Sequence, residues 1–228
     1  GVDYSVNEDL VLGIMGQVDF TEEEDERQNF SVSGFGWLIG PYFVAELQDS
    51  LMWDGRFAWG QSENDLRPFN TYKDEFDTNR WLVASKVTGG LSYEEIQLRP
   101  QVGLIYFEER QNAFLDSNGL VIPEQEISLG RLTFSPNFSR SFTTPNEDML
   151  TANWTVTGIW DFDTADLINI DTGLIANSNT DLRARTEFGL ALRMRNGLSF
   201  GADGFYDGIG VNDYQAYGGT ISLSIPLE

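Results

Sequence analysis

The chain of 228 residues is strongly acidic, with 36 Asp and Glu against 14 Lys and Arg and a formal net charge of −22 at pH 7. This charge argues against nucleic acid as a partner, because phosphates require a basic surface. The sequence has no cysteine and no histidine, which excludes disulfides and removes the commonest general base and metal ligand. No apolar run approaches the ~20 residues of a membrane-spanning helix, and no signal peptide is visible.

Apolar residues alternate with small or polar ones over long stretches, whereas helical periodicity is almost absent. This period of two is the pattern of β-strands. The opening letters "GVDYSV" read as the middle of a strand, so we expect the chain to begin at a cut. The predicted strands, about eleven in number, are in chain order Gly1–Val6, Leu10–Phe20, Phe30–Leu47, Leu51–Gly60, Arg80–Tyr93, Ile96–Arg110, Ile127–Phe142, Met149–Asp163, Leu182–Met194, Leu198–Tyr206 and Tyr214–Leu227.

Two kinds of connection alternate between the predicted strands. Short turns such as "QDS" and "RNG" contain residues that tolerate turn dihedrals, whereas "TEEEDERQ" and "QSENDLRPFNTYKDEFD" are long and charged. Short turns at one end and long loops at the other are typical of an outer-membrane barrel, with periplasmic turns and extracellular loops. A soluble β-sandwich is the alternative, although it seldom separates its loops so regularly.

The two faces of each strand favour the barrel. Between Leu182 and Met194 one face is mostly apolar, and the other carries Arg183, Arg185, Glu187 and Arg193. Tryptophan and tyrosine gather toward strand ends, as in the aromatic girdles of membrane barrels. We therefore predict that the apolar face contacts lipid, that the polar face lines a wet lumen, and that closure satisfies the backbone hydrogen bonds.

Seven segments in chain order resemble the C-terminal translocator β-domain of type V autotransporters. The resemblance covers nearly the whole chain and implies one domain over residues 1–228. Its implied fold is all-β, a transmembrane antiparallel up-and-down barrel of twelve strands, of which this chain lacks the first. The segments are "GVDYSVNEDLVLG", "GWLIGPYFVAELQDSLMWDGRFAWGQSEND", "RPQVGLIYFEERQNAF", "SLGRLTFSPNFS", "GIWDFD", "LRARTEFGLALRMRNGLSFGADGFYDGIG" and "YQAYGGTISLSIP".

The resemblance also implies a function and partners. The domain would anchor an N-terminal passenger in the bacterial outer membrane and assist its export, with a helical linker threading the lumen. Its partners would be outer-membrane lipid and lipopolysaccharide, the barrel-assembly machinery, periplasmic chaperones and its own passenger or linker, and the barrel would be a monomer. No enzymatic activity, cofactor or metal is expected. The alternative function is a pore or adhesin without a passenger.

Charged residues on the predicted polar faces are the candidates for contact with a linker or passenger. They would guide a threaded segment through guanidinium and carboxylate contacts, or would pair with one another and fill the lumen. The second interpretation is favoured, because charges are normal in such lumens. The candidates are Asp54, Arg56, Lys86, Arg99, Arg131, Asp161, Arg183, Arg185, Glu187, Arg193 and Asp203.

Acidic residues also cluster in the predicted loops. The segment Glu22–Glu26 and the group Asp161, Asp163, Asp166 and Asp171 would bind divalent cations or simply keep the loops hydrated. The second interpretation is favoured because no calcium-loop spacing is present. Asp161 and Asp163 are expected on one face of a strand, about 6.5 to 7 Å apart at the backbone.

The last strand, in "AYGGTISLSIPLE", alternates apolar and small residues up to its end. This alternation resembles the assembly signal of the family, which normally ends in an aromatic residue, and here Leu227 stands in that place. The final Leu-Glu is typical of a sequence added in cloning, so we expect the natural terminus to differ. The predicted signal residues are Tyr217, Ile221, Leu223, Ile225 and Leu227.

Overall fold

The computed structural model describes residues 1–25, 30–68, 71–164, 167–168, 175–176, 182–212 and 214–226. This part of the chain is all-β, and none of its elements is a helix long and apolar enough to cross a membrane. The strands are β1 Val2–Ser5, β2 Leu10–Asp25, β3 Phe30–Gln48, β4 Leu51–Arg67, β5 Asp74–Gly89, β6 Leu91–Tyr93, β7 Ile96–Arg99, β8 Gln101–Gln111, β9 Phe114–Leu115, β10 Val121–Ile122, β11 Gln125–Phe134, β12 Asn137–Thr143, β13 Met149–Thr164, β14 Leu167–Ile168, β15 Ile175–Ala176, β16 Leu182–Arg193, β17 Ser199–Ile209 and β18 Ala216–Ser224.

Fourteen of these strands form one antiparallel sheet, in the order β1-β2-β3-β4-β5-β8-β11-β13-β16-β17-β18, with β6, β7 and β12 pairing alongside. Three of the fourteen continue another strand across an interruption: β6 follows β5, β8 follows β7 beyond Pro100, and β12 follows β11 beyond Pro136. Proline donates no ladder hydrogen bond, which explains the breaks at Pro100 and Pro136. Counted across the interruptions, the sheet has eleven strands, and the predicted number is confirmed.

Several strands extend further than the alternation of apolar residues predicted. β2 continues through Thr21–Asp25, where the sequence suggested a loop, and pairs there with residues 30–34 of β3. β4 likewise continues to Arg67 and β5 begins at Asp74. The hydrogen bonds of a β-ladder join backbone groups, so a strand continues through acidic residues after its alternating apolar residues end. The long loops at this end are therefore shorter than predicted.

The two edges of the sheet are not joined in this structure. β1 pairs only with the first part of β2, from Val2 opposite Ile14 to Ser5 opposite Val11. Among the described residues, the edge of β2 from Met15 to Glu24 has no paired strand on that side, and β18 pairs only with β17. Ten antiparallel steps separate β1 from β18, so these two edge strands run in the same direction.

The sheet has two chemically different faces. Residues paired directly across two strands share a face, and the register places Asp54 opposite Lys86 and Arg131 opposite Asp161 on one of them, which we call the polar face. The opposite, apolar face carries large exposed side chains, such as Trp154 at 48%. Its rings also contact one another, and Trp37 packs edge-on against Trp59 at 5.2 Å. So large an exposed apolar surface is typical of a membrane or protein contact.

A small apolar cluster interrupts the polar face. Leu38, Ala58 and Leu82 are 5%, 0% and 8% exposed, and Met15, Ile105 and Phe107 pack against them. Ala58 lies directly opposite Leu82 in the ladder, and Leu82 is two residues from Arg80 along β5, so the cluster is on the polar face. The polar face therefore includes an apolar cluster on strands β2 to β8 that the sequence analysis did not predict.

Candidate functional site: the polar face

The first ion-pair network joins β11, β13, β16 and β17. Arg131 Nη2 donates to Asp161 Oδ2 at 3.0 Å, and Arg183 Nη1 donates to the same oxygen at 2.6 Å. Arg183 Nε also donates to Asp207 Oδ1 at 3.2 Å. Asp161 and Asp207 are only 8% and 5% exposed. The guanidinium groups of Arg131 and Arg183 therefore share the buried carboxylate of Asp161. Asp207 supplies the second negative charge, so the two positive charges are balanced.

A second network joins β2, β4, β5 and β8. Arg80 Nη1 donates to both carboxylate oxygens of Asp19, at 3.0 and 2.8 Å, and Arg80 Nε lies 3.1 Å from Glu109 Oε1. Glu109 also accepts a hydrogen bond from Thr78 Oγ1 at 2.7 Å, and Thr78 is hydrogen-bonded to buried Ser62 at 2.6 Å. The network thus crosses four strands and fixes their register on the polar face.

The sequence analysis missed Asp19, Arg80 and Glu109 as members of this network. All three residues fell within predicted strands, Asp19 in Leu10–Phe20, Arg80 at the start of Arg80–Tyr93 and Glu109 near the end of Ile96–Arg110, but none was named as a lumen charge. Alternation continued from Lys86 to Arg80, and from Gln101 to Glu109, would have placed both side chains on the polar face. The pairing itself, across 61 residues between Asp19 and Arg80, has no local sequence signal.

The remaining predicted charges divide into paired and unpaired groups. Lys86 Nζ lies 3.4 Å from Asp54, and both side chains are nearly half exposed. Arg185 Nε donates to Glu187 at 2.7 Å, and its guanidinium lies 4.1 Å above the ring of Phe205. The register places the other four candidates on the polar face too, but none forms an ion pair within the described part of the chain. They are Arg56, Arg99, Arg193 and Asp203.

Asp161 and Asp163 do not share a face, contrary to the prediction. The register shifts between Gly130 and Arg131, so that Arg131 is opposite Asp161 while Gly130 is opposite Asp163. Adjacent residues of a strand point to opposite faces, so this β-bulge reverses the side of Asp163. Its carboxylate accepts a hydrogen bond from Ser128 Oγ at 3.2 Å on the apolar-face side. Glu26, Asp166 and Asp171 of the predicted acidic groups lie outside the described residues.

The C-terminal strand presents Tyr217, Ile221 and Leu223 on the apolar face, and Ile225 follows its last residue. Tyr217 and Ile221 are 80% and 86% exposed, and Leu223 and Ile225 are 55% and 61% exposed. Leu223 pairs with Phe200 and Tyr217 with Tyr206 in the ladder with β17. Leu227 lies outside the described residues. The role of this row as an assembly signal stays a prediction, as does the contact of the polar face with a linker or passenger.

Outside the strands, one cation is held by two carboxylates. Lys73 Nζ lies 2.7 Å from Glu75 and 2.9 Å from Asp65, in the connection between β4 and β5. The hydrogen bonds to Glu75 and Asp65 raise the pKa of Lys73. This amine therefore remains charged and links the rim of β4 to that of β5.

Comparison with known proteins agrees with this architecture. The family model described as Autotransporter beta-domain matches residues 1–204. Among solved structures, the beta domain of the Bordetella autotransporter BrkA superposes with a TM-score of 0.53 at 10% sequence identity, covering 97% of this chain and 84% of that one. At this identity the likeness shows the fold alone. The search of curated proteins finds no match.

Proposed function

Because the chain belongs to the autotransporter beta-domain family, we propose that it anchors an N-terminal passenger in the outer membrane and supports its export and surface display. The observation that carries the proposal is the division of one antiparallel sheet into two faces. One face exposes large apolar side chains, and the other buries the network of Arg131, Asp161 and Arg183. The family is a translocator family, and we propose that the chain catalyses no reaction.

Strand length supports a transmembrane position. β2 has 16 residues, which at about 3.3 Å per residue and a tilt near 40° rise about 40 Å. The apolar belt of a membrane barrel is only about 25 Å tall. The acidic end of β2, Glu22–Asp25, is therefore expected above the belt. We propose that this end, with the longer loops, is extracellular and that the short turns are periplasmic.

Closure of the barrel needs chain beyond the eleven strands of the sheet. β1 and β18 run in the same direction, so an all-antiparallel barrel requires one more strand between them. Unpaired backbone groups cost several kcal/mol each in hydrocarbon. We propose that further chain pairs with the free edge of β2 from Met15 to Glu24 and with β18, giving the even strand number of bacterial single-chain barrels.

The polar face divides into a structural part and a contact part. Arg131, Asp161 and Arg183 are satisfied by one another and by Asp207, which supports their assignment to a lumen-filling ladder. The four charges without a described ion-pair partner are the better candidates for contact with a linker or passenger. On the opposite face, the exposed row of β18 is proposed to be read by the barrel-assembly machinery, after periplasmic chaperones deliver the chain into lipid and lipopolysaccharide.

Surface display on intact cells tests the proposal. An epitope placed upstream of the chain is detected by antibody, with Leu190→Arg and Ala191→Arg as a matched pair, because Leu190 is on the apolar face and Ala191 on the polar face. A cation facing lipid costs about 2 to 4 kcal/mol at the bilayer midplane. We expect Leu190→Arg to abolish display and Ala191→Arg to keep it. Stable insertion of the unmodified protein without display, but with steady conductance, would instead support the passenger-free pore.

A further inference from the structure

The connection between β8 and β11 forms a structured hairpin. In its two short strands Phe114 pairs with Ile122 and Leu115 with Val121. The turn is held by Asp116, whose Oδ1 accepts hydrogen bonds from the backbone N–H groups of Asn118 at 2.9 Å and Leu120 at 2.7 Å. Gly119, at φ +80°, supplies the left-handed residue of the turn. The hairpin therefore has a defined shape.

This hairpin, residues 112–124, folds against the inner side of the sheet. The ring of Phe114 stacks on Phe76 with centroids 5.7 Å apart and an angle of 19°. The N–H and Oγ of Ser117 lie 2.8 and 2.6 Å from Oδ1 of Asp74, which is only 6% exposed. Asp74 and Phe76 alternate with Thr78 along β5, so both belong to the polar face. The hairpin thus covers the polar face at the long-loop end of β5.

A second layer at this position narrows the lumen substantially. Twelve strands spaced about 4.8 Å apart and tilted near 40° close at a radius of about 12 Å, and a packed β layer lies about 10 Å from the wall. Leu115 and Val121 occupy the side of the hairpin opposite Phe114 and are 65% and 67% exposed. These side chains consequently point away from β5, toward the space that the closed barrel would enclose.

We propose that the hairpin 112–124 is an inward-folded constriction of the long-loop mouth, fastened by Ser117 on Asp74 and Phe114 on Phe76. The proposal rests on the proposed membrane orientation of the barrel. The hairpin is fastened to β5 through the side chains of Phe76 and Asp74. A chain segment that fills the lumen therefore displaces the hairpin without breaking the backbone ladder of β5. The exposed Leu115 and Val121 are the surface that such a segment meets first.

Cysteine labelling tests the constriction in a chain that has no native cysteine. Ala191→Cys places a reporter on the polar face, and intact cells carrying the full chain are treated with a small or a bulky membrane-impermeant maleimide. The latch variant is Phe114→Ala with Ser117→Ala, which changes only the hairpin. Asp65→Ala is the matched control, because it removes only a side-chain contact of Lys73 and keeps the hydrogen bond from Ser117 Oγ to the Lys73 backbone oxygen.

We expect the bulky reagent to label the reporter about five-fold faster in the latch variant, and the small reagent to change less than about two-fold, because the open population rises. Asp65→Ala should behave as the unmodified protein. The constriction would be overturned if the bulky reagent labels the reporter no faster in the latch variant, and no faster after residues 113–123 are replaced by two glycines. Equal increases for both reagents would overturn it too. Asn118→Cys reports orientation separately: failure to label it on intact cells contradicts the proposed function.

Discussion

Asp161 is a buried carboxylate that two guanidinium groups share, and its neutralisation gives a sharp prediction. The Asp161→Asn change keeps the shape of the side chain but removes the negative charge that Arg131 and Arg183 share. Breaking a buried ion pair costs about 3 to 5 kcal/mol. Arg183 keeps Asp207, and the Arg131 side chain is 32% exposed, so solvent screening reduces the effect. We expect the free energy of unfolding to fall by about 2 to 3 kcal/mol.

Unfolding in guanidinium of the membrane-inserted chain, followed by tryptophan fluorescence, measures this loss. Asp203→Asn is the matched control, because Asp203 is on the same face and has no described ion-pair partner. Its effect should stay below about 0.5 kcal/mol. Adding Arg131→Gln to Asp161→Asn should cost less than the sum of the two single changes. Equal losses for Asp161→Asn and Asp203→Asn would refute the argument that the network is a buried, mutually satisfied unit.

Two further predictions concern packing and use the same unfolding assay. Gly40→Ala should lower the free energy of unfolding by about 3 kcal/mol, because its Cβ would collide with the backbone oxygen of Phe57, whereas Gly16→Ala has open space and should be nearly neutral. Equal effects would contradict the close approach of β3 and β4. Leu82→Ala should cost about 2 to 3 kcal/mol by leaving a cavity in the polar-face cluster. Val83→Ala, on the apolar face, should cost less than about 1 kcal/mol. A larger loss for Val83→Ala than for Leu82→Ala would contradict the position of the cluster on the polar face.

The strands and their faces follow from the sequence because alternation is local. The division between Arg183, Arg185 and Glu187 on one side and Leu190 and Leu192 on the other needs only a period of two. It predicted the sheet, the apolar face and the ion-pair residues of β16. The continuation of β2 through Glu22–Asp25 was not predicted, since acidic side chains in a strand resemble a loop when no apolar residue alternates with them.

Features that depend on two strands far apart in the sequence could not be predicted from local alternation. The contact of Asp19 with Arg80 depends on the order in which β2 to β5 pair. The bulge that separates Asp161 from Asp163 depends on a register shift against β11. The burial of Leu38 and Leu82 on the polar face depends on the small side chain of Ala58 between them. Each of these needs tertiary pairing, which a single sequence does not reveal.

In the proposed barrel, the apolar face contacts lipid and the polar face lines the lumen. Single cysteines at 220, 221, 222 and 223 of β18, labelled with a fluorophore in the inserted protein, test it with a quencher attached to lipid tails. Strong quenching at Ile221→Cys and Leu223→Cys, and weak quenching at Thr220→Cys and Ser222→Cys, is the predicted result. Uniform quenching, or the opposite alternation, would contradict the account.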